Sequence, residues 1–156
     1  MRKIGIIAVL SMLVVALAAV PALAANPHFV VGPTFTDLGT TIRATGSVAG
    51  LGNEDVRVVL TATGTAEVEC INPAGNRAPG QDQTVSVSGE QTITRVENGR
   101  VNFAVTAGGA QLSGTPRQVG CPNNKWTPRI TDVNFTSATL RIFQGGQQVL
   151  TATQTF

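Results

Sequence analysis

Val56-Arg57-Val58-Val59-Leu60-Thr61-Ala62-Thr63-Gly64-Thr65-Ala66-Glu67-Val68-Glu69-Cys70 is the stretch on which the architecture turns. Successive side chains of an extended strand point to opposite faces, so a period of two separates an inner set from an outer one. Val56, Val58, Leu60, Ala62, Ala66, Val68 and Cys70 fall on one face, and Arg57, Thr61, Thr63, Thr65, Glu67 and Glu69 on the other. The pattern is that of a half-buried strand with Cys70 pointing inward.

Working outward, Thr41 to Val48 repeats the alternation, with Ile42, Ala44, Gly46 and Val48 opposite Thr41, Arg43, Thr45 and Ser47. Further strands are expected at Thr84 to Ser88, Gln91 to Val96, Arg100 to Ala107, Ile130 to Phe135, Ala138 to Phe143 and Gln147 to Thr155. No stretch carries the 3.6-residue period of an amphipathic helix. Asn98-Gly99 and Gly145-Gly146 offer the positive φ angles of tight hairpin turns, and Gly39 and Gly50-Leu51-Gly52-Asn53 mark further reversals. Twenty threonines supply β-branched side chains for solvent-facing positions. Short strands at spacings of roughly ten residues predict an all-β domain, a two-sheet immunoglobulin-like or Greek-key sandwich of about eight or nine strands with one disulfide.

The opening of the chain has a different character. Arg2-Lys3, an apolar run from Ile4 to Val20, and Pro21-Ala22-Leu23-Ala24 form the positive, apolar and small-residue regions of a secretory signal peptide. We place the leader at 1–24 and a single secreted domain at 25–156. The leader takes both methionines and the excess of basic over acidic residues, which leaves a lean, formally neutral remainder. A neutral domain without a basic run has no electrostatic footprint for nucleic acid, and with the leader removed none for a membrane.

Export places Cys70 and Cys121 where disulfides persist, and these are the only two cysteines. Fifty residues separate them, so their pairing closes a loop worth about 4 kcal/mol in the chain-entropy description. Two cysteines and one histidine are too few for a zinc site, and no loop spaces its carboxylates for calcium. Neither a metal nor any other cofactor is expected.

Two segments break the strand rhythm, Ile71 to Gln83 and Gly108 to Pro128, each rich in Pro and Gly and each adjoining a cysteine. Pairing of the cysteines would bring both to one end of the sandwich, and long loops on a rigid scaffold are where binding residues gather. Trp126 stands in a polar run with Asn124 and Lys125; Asn72, Asn76, Arg77 and Arg117 come from the neighbouring irregular segments. Together they make a candidate polar contact surface with one aromatic anchor, suited to an extracellular protein or glycan. Packing of Trp126 over the disulfide is the competing role.

Catalysis needs a titrating or nucleophilic group beside a partner, and the inventory is thin. The only histidine, His28, lies next to the expected start of the mature chain, and no catalytic residue is assigned. A hydrolase using a carboxylate would have to draw on Glu67, Glu69 or Asp132. Self-assembly through the terminal strands, His28-Phe29-Val30-Val31 or Val149 to Phe156, is a lesser possibility.

Gly50-Leu51-Gly52-Asn53, Cys70-x-Asn72-Pro73-x-Gly75-Asn76 and Cys121-Pro122 resemble a pattern in small exported bacterial β-sandwich proteins of unassigned function. That resemblance implies a bacterial source, secretion and the sandwich fold, and carries no catalytic positions. A looser similarity is to the immunoglobulin-like carrier apoproteins of soil bacteria, which hold a reactive small molecule in a sandwich cleft. Those are built on two local disulfides, where this chain has one long-range pair. The expectation is therefore a non-catalytic binding or structural module, secreted or held in the cell envelope, with a carrier of a small apolar ligand between the sheets as the alternative.

Overall fold

The computed structural model describes residues 26–156. The leader and its cleavage position lie outside the described residues. Eight strands form: β1 (His28–Asp37), β2 (Ile42–Ala49), β3 (Val56–Ile71), β4 (Arg77–Pro79), β5 (Gln83–Ile93), β6 (Val101–Ala107), β7 (Thr127–Gln144) and β8 (Gln147–Thr155). The first sheet has the order β1-β2-β6; in the second, β3 pairs with β7 on one side, β8 continues beyond β7, and β4 and β5 lie end to end along the other side of β3. All pairings are antiparallel. The expected two-sheet sandwich is what the chain forms, with one disulfide between Cys70 and Cys121. A disulfide in an all-β domain fits an extracellular protein.

The quoted stretch is the centre of the fold. Val56, Val58, Leu60, Ala62 and Ala66 of β3 are buried, and they meet Ile42, Ala44 and Val48 of β2 and Val101, Phe103, Val105 and Ala107 of β6 across the interior. From β7, Val133, Phe135, Ala138, Leu140 and Ile142 complete the same layer. Burial of such side chains against their neighbours is the main favourable term holding the sheets together. The outer face of the second sheet carries the threonines, whose hydroxyls also bond across strands: Thr63 to Ser137 at 2.8 Å and Thr139 to Thr153 at 3.2 Å.

Several boundaries differ from expectation. Thr84 to Ser88 and Gln91 to Val96 are largely one strand, β5, which ends at Ile93; Ile130 to Phe135 and Ala138 to Phe143 fall within the single strand β7. The second merger runs through a bulge: between the pairs Thr63↔Ser137 and Gly64↔Phe135, Thr136 is left over, and the strand continues past it. Gly89 sits where β5 of the second sheet passes β6 of the first, and a Cβ there would run into the Thr106 carbonyl. This glycine marks close approach of two backbones, not the end of a strand.

Asn98 and Gly99 do have positive φ, 51° and 67°, and the Glu97 carbonyl accepts from the Arg100 N–H at 3.0 Å. Their flanks then separate, β5 into the second sheet and β6 into the first, so the turn carries the chain between sheets instead of closing a hairpin. Gly145-Gly146 makes the expected hairpin turn, joining β7 to β8. β1 takes in the terminal strand expected at His28 to Val31, pairs within the chain and runs on to Asp37, while β4 is a strand the sequence does not signal; both are edge strands whose inner faces are only partly buried, so the alternation is weak in sequence.

Candidate functional site

The disulfide end of the sandwich is built by the last turn of β3 and everything that register brings to it. Ile71 pairs with Thr127 of β7 on one side and Arg77 of β4 on the other, so the Asn72–Asn76 turn and Trp126 both flank the tip of β3. Asn72 folds the turn on itself: its N–H donates to the Asn76 carbonyl, its carbonyl accepts from Gly75, and its Oδ1 accepts from the Asn76 N–H at 2.8 Å. Gly75, with φ at 83°, supplies the left-handed residue this tight reversal requires.

Cys121 approaches from the second irregular segment, with 5.6 Å between its Cα and that of Cys70. Val119, at full burial, joins Val68 and the two cysteines in a small apolar cluster separate from the main core, and Leu112 and Trp126 pack against its edge. The two irregular segments are also stitched by one main-chain bond and one from main chain to side chain. Gln81 N–H donates to the Val119 carbonyl at 2.9 Å, and Ser113 N–H donates to Oε1 of Gln83 at 3.2 Å. Thr115 begins a tight run of turns that ends at Cys121, capped by the Gln118 side chain, which accepts from both the N–H and the hydroxyl of Thr115.

The sequence-predicted surface is thus gathered at one end, with its members in different states. Trp126 is half-buried, resting on the disulfide cluster while Asn123, Asn124 and Lys125 around it are exposed. One part of the indole packs and the rest remains at the surface. Asn124 is a builder of the surface, since its Oδ1 accepts from the Arg117 main-chain N–H at 3.1 Å and ties that residue to the Trp126 turn. Lys125, Arg117 and Asn76 are exposed. Arg77 reaches back along the strand to Glu69, Nη1 to Oε2 at 3.1 Å, an exposed pair of the kind that contributes little to stability.

Of the carboxylates considered for hydrolysis, Glu67 and Asp132 stand opposite each other in the β3–β7 ladder, and each of the three has another neighbour. Glu67 accepts from Nδ2 of Asn134 at 3.2 Å, Glu69 is engaged by Arg77, and Asp132 lies beside Gly39 in the β1–β2 turn. His28 is exposed on β1 with Nδ1 at 2.9 Å from the Asn26 carbonyl oxygen. Among the described residues no three His, Cys, Asp or Glu side chains cluster as a metal site would need.

Surface hollows among the described residues lie elsewhere. One, of about 240 Å³, is a shallow depression in the outer face of the second sheet lined by threonines and serines of β3, β5 and β7 together with Ala62 and Val87. Another, of about 560 Å³, lies beside the Asn98-Gly99 turn among Ala49, Glu97, Arg100 and Asn102.

Sequence reasoning missed the glutamines. Gln144, buried at the end of β7, accepts from the Gly52 N–H at 2.8 Å and donates to the carbonyls of Gly52 and Glu54 at 3.0 and 2.8 Å. It holds the Gly50–Asn53 reversal against the end of the second sheet. A glutamine at an inward position of an alternating strand was the available signal. Comparison with known proteins adds nothing to this picture: no protein-family profile, curated protein or solved structure matches the chain.

Proposed function

We propose that the chain is a secreted, non-catalytic binding or structural module of the cell envelope or extracellular matrix, and that it contacts its partner through the disulfide end. The observation that carries this reading is the half-buried Trp126, fixed on the Cys70–Cys121 cluster beside exposed Asn124 and Lys125, with exposed Arg117 and Asn76 at the same end of the sandwich. An aromatic held rigidly at its base loses little conformational entropy on contact, and polar neighbours able to both donate and accept suit a glycan or protein surface. The stitching of the two irregular segments supports the same reading, because a surface ordered before binding does not spend binding energy on its own ordering. Fully buried Ile42, Leu60, Leu140 and Ile142 fill the layer between the sheets, which favours this surface over an interior carrier site.

Trp126 is the only tryptophan and the chain has no tyrosine, so its emission is an uncontaminated reporter of this surface. Titration of the disulfide-intact protein with soluble neutral and acidic polysaccharides, and with extracellular proteins of the producing cell, is expected to shift or quench that emission for the true partner. Trp126→Ala should then lose at least tenfold in affinity while retaining cooperative melting. A partner held with equal affinity by wild type and Trp126→Ala would place the contact elsewhere and overturn the proposal.

A further inference from the structure

A sandwich has sheet edges, and each edge is a row of unpaired main-chain donors and acceptors that a protein must blunt, cover or use. β4 is an edge of only three residues, and three longer edges are managed. The β5 edge of the second sheet and the β6 edge of the first close on each other: Ser88 and Gly108 form a bridge, and Oε1 of Gln91 accepts from the Ala104 N–H at 3.0 Å. β1 carries Pro33, which has no N–H, and its pairing with β2 shifts register on either side of Val31. β8 is the exception. Its nine residues contain no proline and no charged side chain, and from Leu150 to Thr155 its register against β7 is uninterrupted.

Which groups β8 offers follows from the ladder. Phe156 N–H donates to the Thr136 carbonyl at 3.1 Å, so Phe156 and every second residue before it, Gln154, Ala152 and Leu150, bond toward β7. Thr151, Thr153 and Thr155 then turn their N–H and C=O groups away, to the free edge. The run Thr151-Ala152-Thr153-Gln154-Thr155 therefore presents three evenly spaced threonines that match themselves when reversed about Thr153.

We propose that β8 pairs antiparallel with β8 of a second copy about a two-fold axis at Thr153. In that register Thr153 faces its own counterpart, and Thr151 faces Thr155 of the second copy, so each outward donor meets an outward acceptor. Threonine opposite threonine is a favourable cross-strand pair, and the absence of charge removes like-charge repulsion at the axis. The same register places Phe156, which is 49% exposed, opposite Leu150 of the second copy, covering an apolar side chain that the single chain leaves in water. A contact of about six residues per copy falls well short of the ~1,600 Å² of a standard interface, so the dimer is weak and its population rises with protein concentration.

The two β8 strands run antiparallel about the axis, so the two disulfide ends in such a dimer face opposite ways. The pairing stands independently of what that end binds. If it binds as proposed above, the dimer is a bivalent bridge whose avidity on a polymeric partner exceeds the affinity of either end.

The experiment is sedimentation velocity of the disulfide-intact protein across a concentration series, with three variants. Wild type is expected to move from monomer toward twice the mass. Thr153→Pro removes an N–H that β7 does not use, and is expected to stay monomeric while keeping its melting transition; Thr153→Lys places two like charges at the axis and should do the same. Thr153→Cys should cross-link readily under oxidation, since paired Cα atoms in an antiparallel ladder lie within disulfide reach, whereas Thr155→Cys alone should not. A protein monomeric at every concentration, a dimer indifferent to Thr153→Lys and Thr153→Pro, or equal cross-linking at both cysteine positions would overturn the proposal.

Discussion

Removing the Cys70–Cys121 bond should loosen one end of the molecule before it melts the whole. The bond spans 51 positions, for which the chain-entropy description gives about 4 kcal/mol of stabilisation. In a domain of this size each kcal/mol moves the melting temperature by roughly 3–5 °C, so Cys70→Ala/Cys121→Ala should melt about 10–20 °C below the oxidised protein. The distribution of the loss is set by packing. Both cysteines belong to the small cluster with Val68 and Val119, apart from the main core, so the sheets retain their own burial when the bond is gone. The irregular segments keep only their hydrogen bonds and the contacts of Leu112 and Trp126. Two assays separate the global from the local effect: calorimetry for the melting temperature, and hydrogen exchange of Asn72–Gln83 and Gly108–Trp126 against β3 and β7. Exchange at the disulfide end should rise well below the melt, with a red shift of Trp126 emission. A double variant that melts within about 2 °C of the oxidised protein, or whose strands open together with its loops, would refute the reasoning.

Two other positions test how the sheets are joined. Gln144→Leu keeps the approximate size of a buried side chain while leaving Gly52 and Glu54 without their three bonds, and should cost about 2 kcal/mol, read as a melting-temperature drop of roughly 5–10 °C. Gly89→Ala sets a methyl against the Thr106 carbonyl, where neither sheet can yield without displacing the other, and should cost about 3 kcal/mol or prevent folding. Gly75→Ala, whose Cβ would meet nothing within 4 Å, should cost only the ~1 kcal/mol of its positive φ, and comparison of the two melts distinguishes crowding from backbone preference.

The strands were legible where one face is buried and the other wet, because only then does a period of two appear in the residues. β8 was readable end to end for this reason, and β2, β3 and β6 to within one residue. What was not legible is which strands neighbour which. Nothing in Gln83 to Ile93 distinguishes a partner in β3 from one in β6, and the Asn98-Gly99 turn argued for the wrong one; Gly89 is where the backbones of β5 and β6 pass closely, a contact that only the tertiary structure reveals. At the candidate site the disulfide and the gathering of both irregular segments followed from there being two cysteines and from the expectation of export. The work of Gln83, Gln118, Asn124 and Gln144 did not, because a side-chain amide can bond any nearby backbone group and its partner is set by tertiary placement alone.

The division between core and loop end also bears on how the binding proposal and the edge proposal relate. The residues that fix the Trp126 surface, the disulfide and the bonds of Gln81, Gln83 and Gln118, make no use of β8, whose register begins beyond the bulge at Thr136. Substitutions at Thr153 should therefore leave the affinity of a single Trp126 surface for a small soluble fragment unchanged, while weakening retention on an extended polymer. Trp126→Ala should do the reverse to the oligomer, leaving the concentration dependence of sedimentation as it is in wild type. If Thr153→Lys reduced fragment binding and polymer retention by the same factor, the two ends of the second sheet would be energetically coupled, and a module with independent binding and pairing surfaces would be the wrong description.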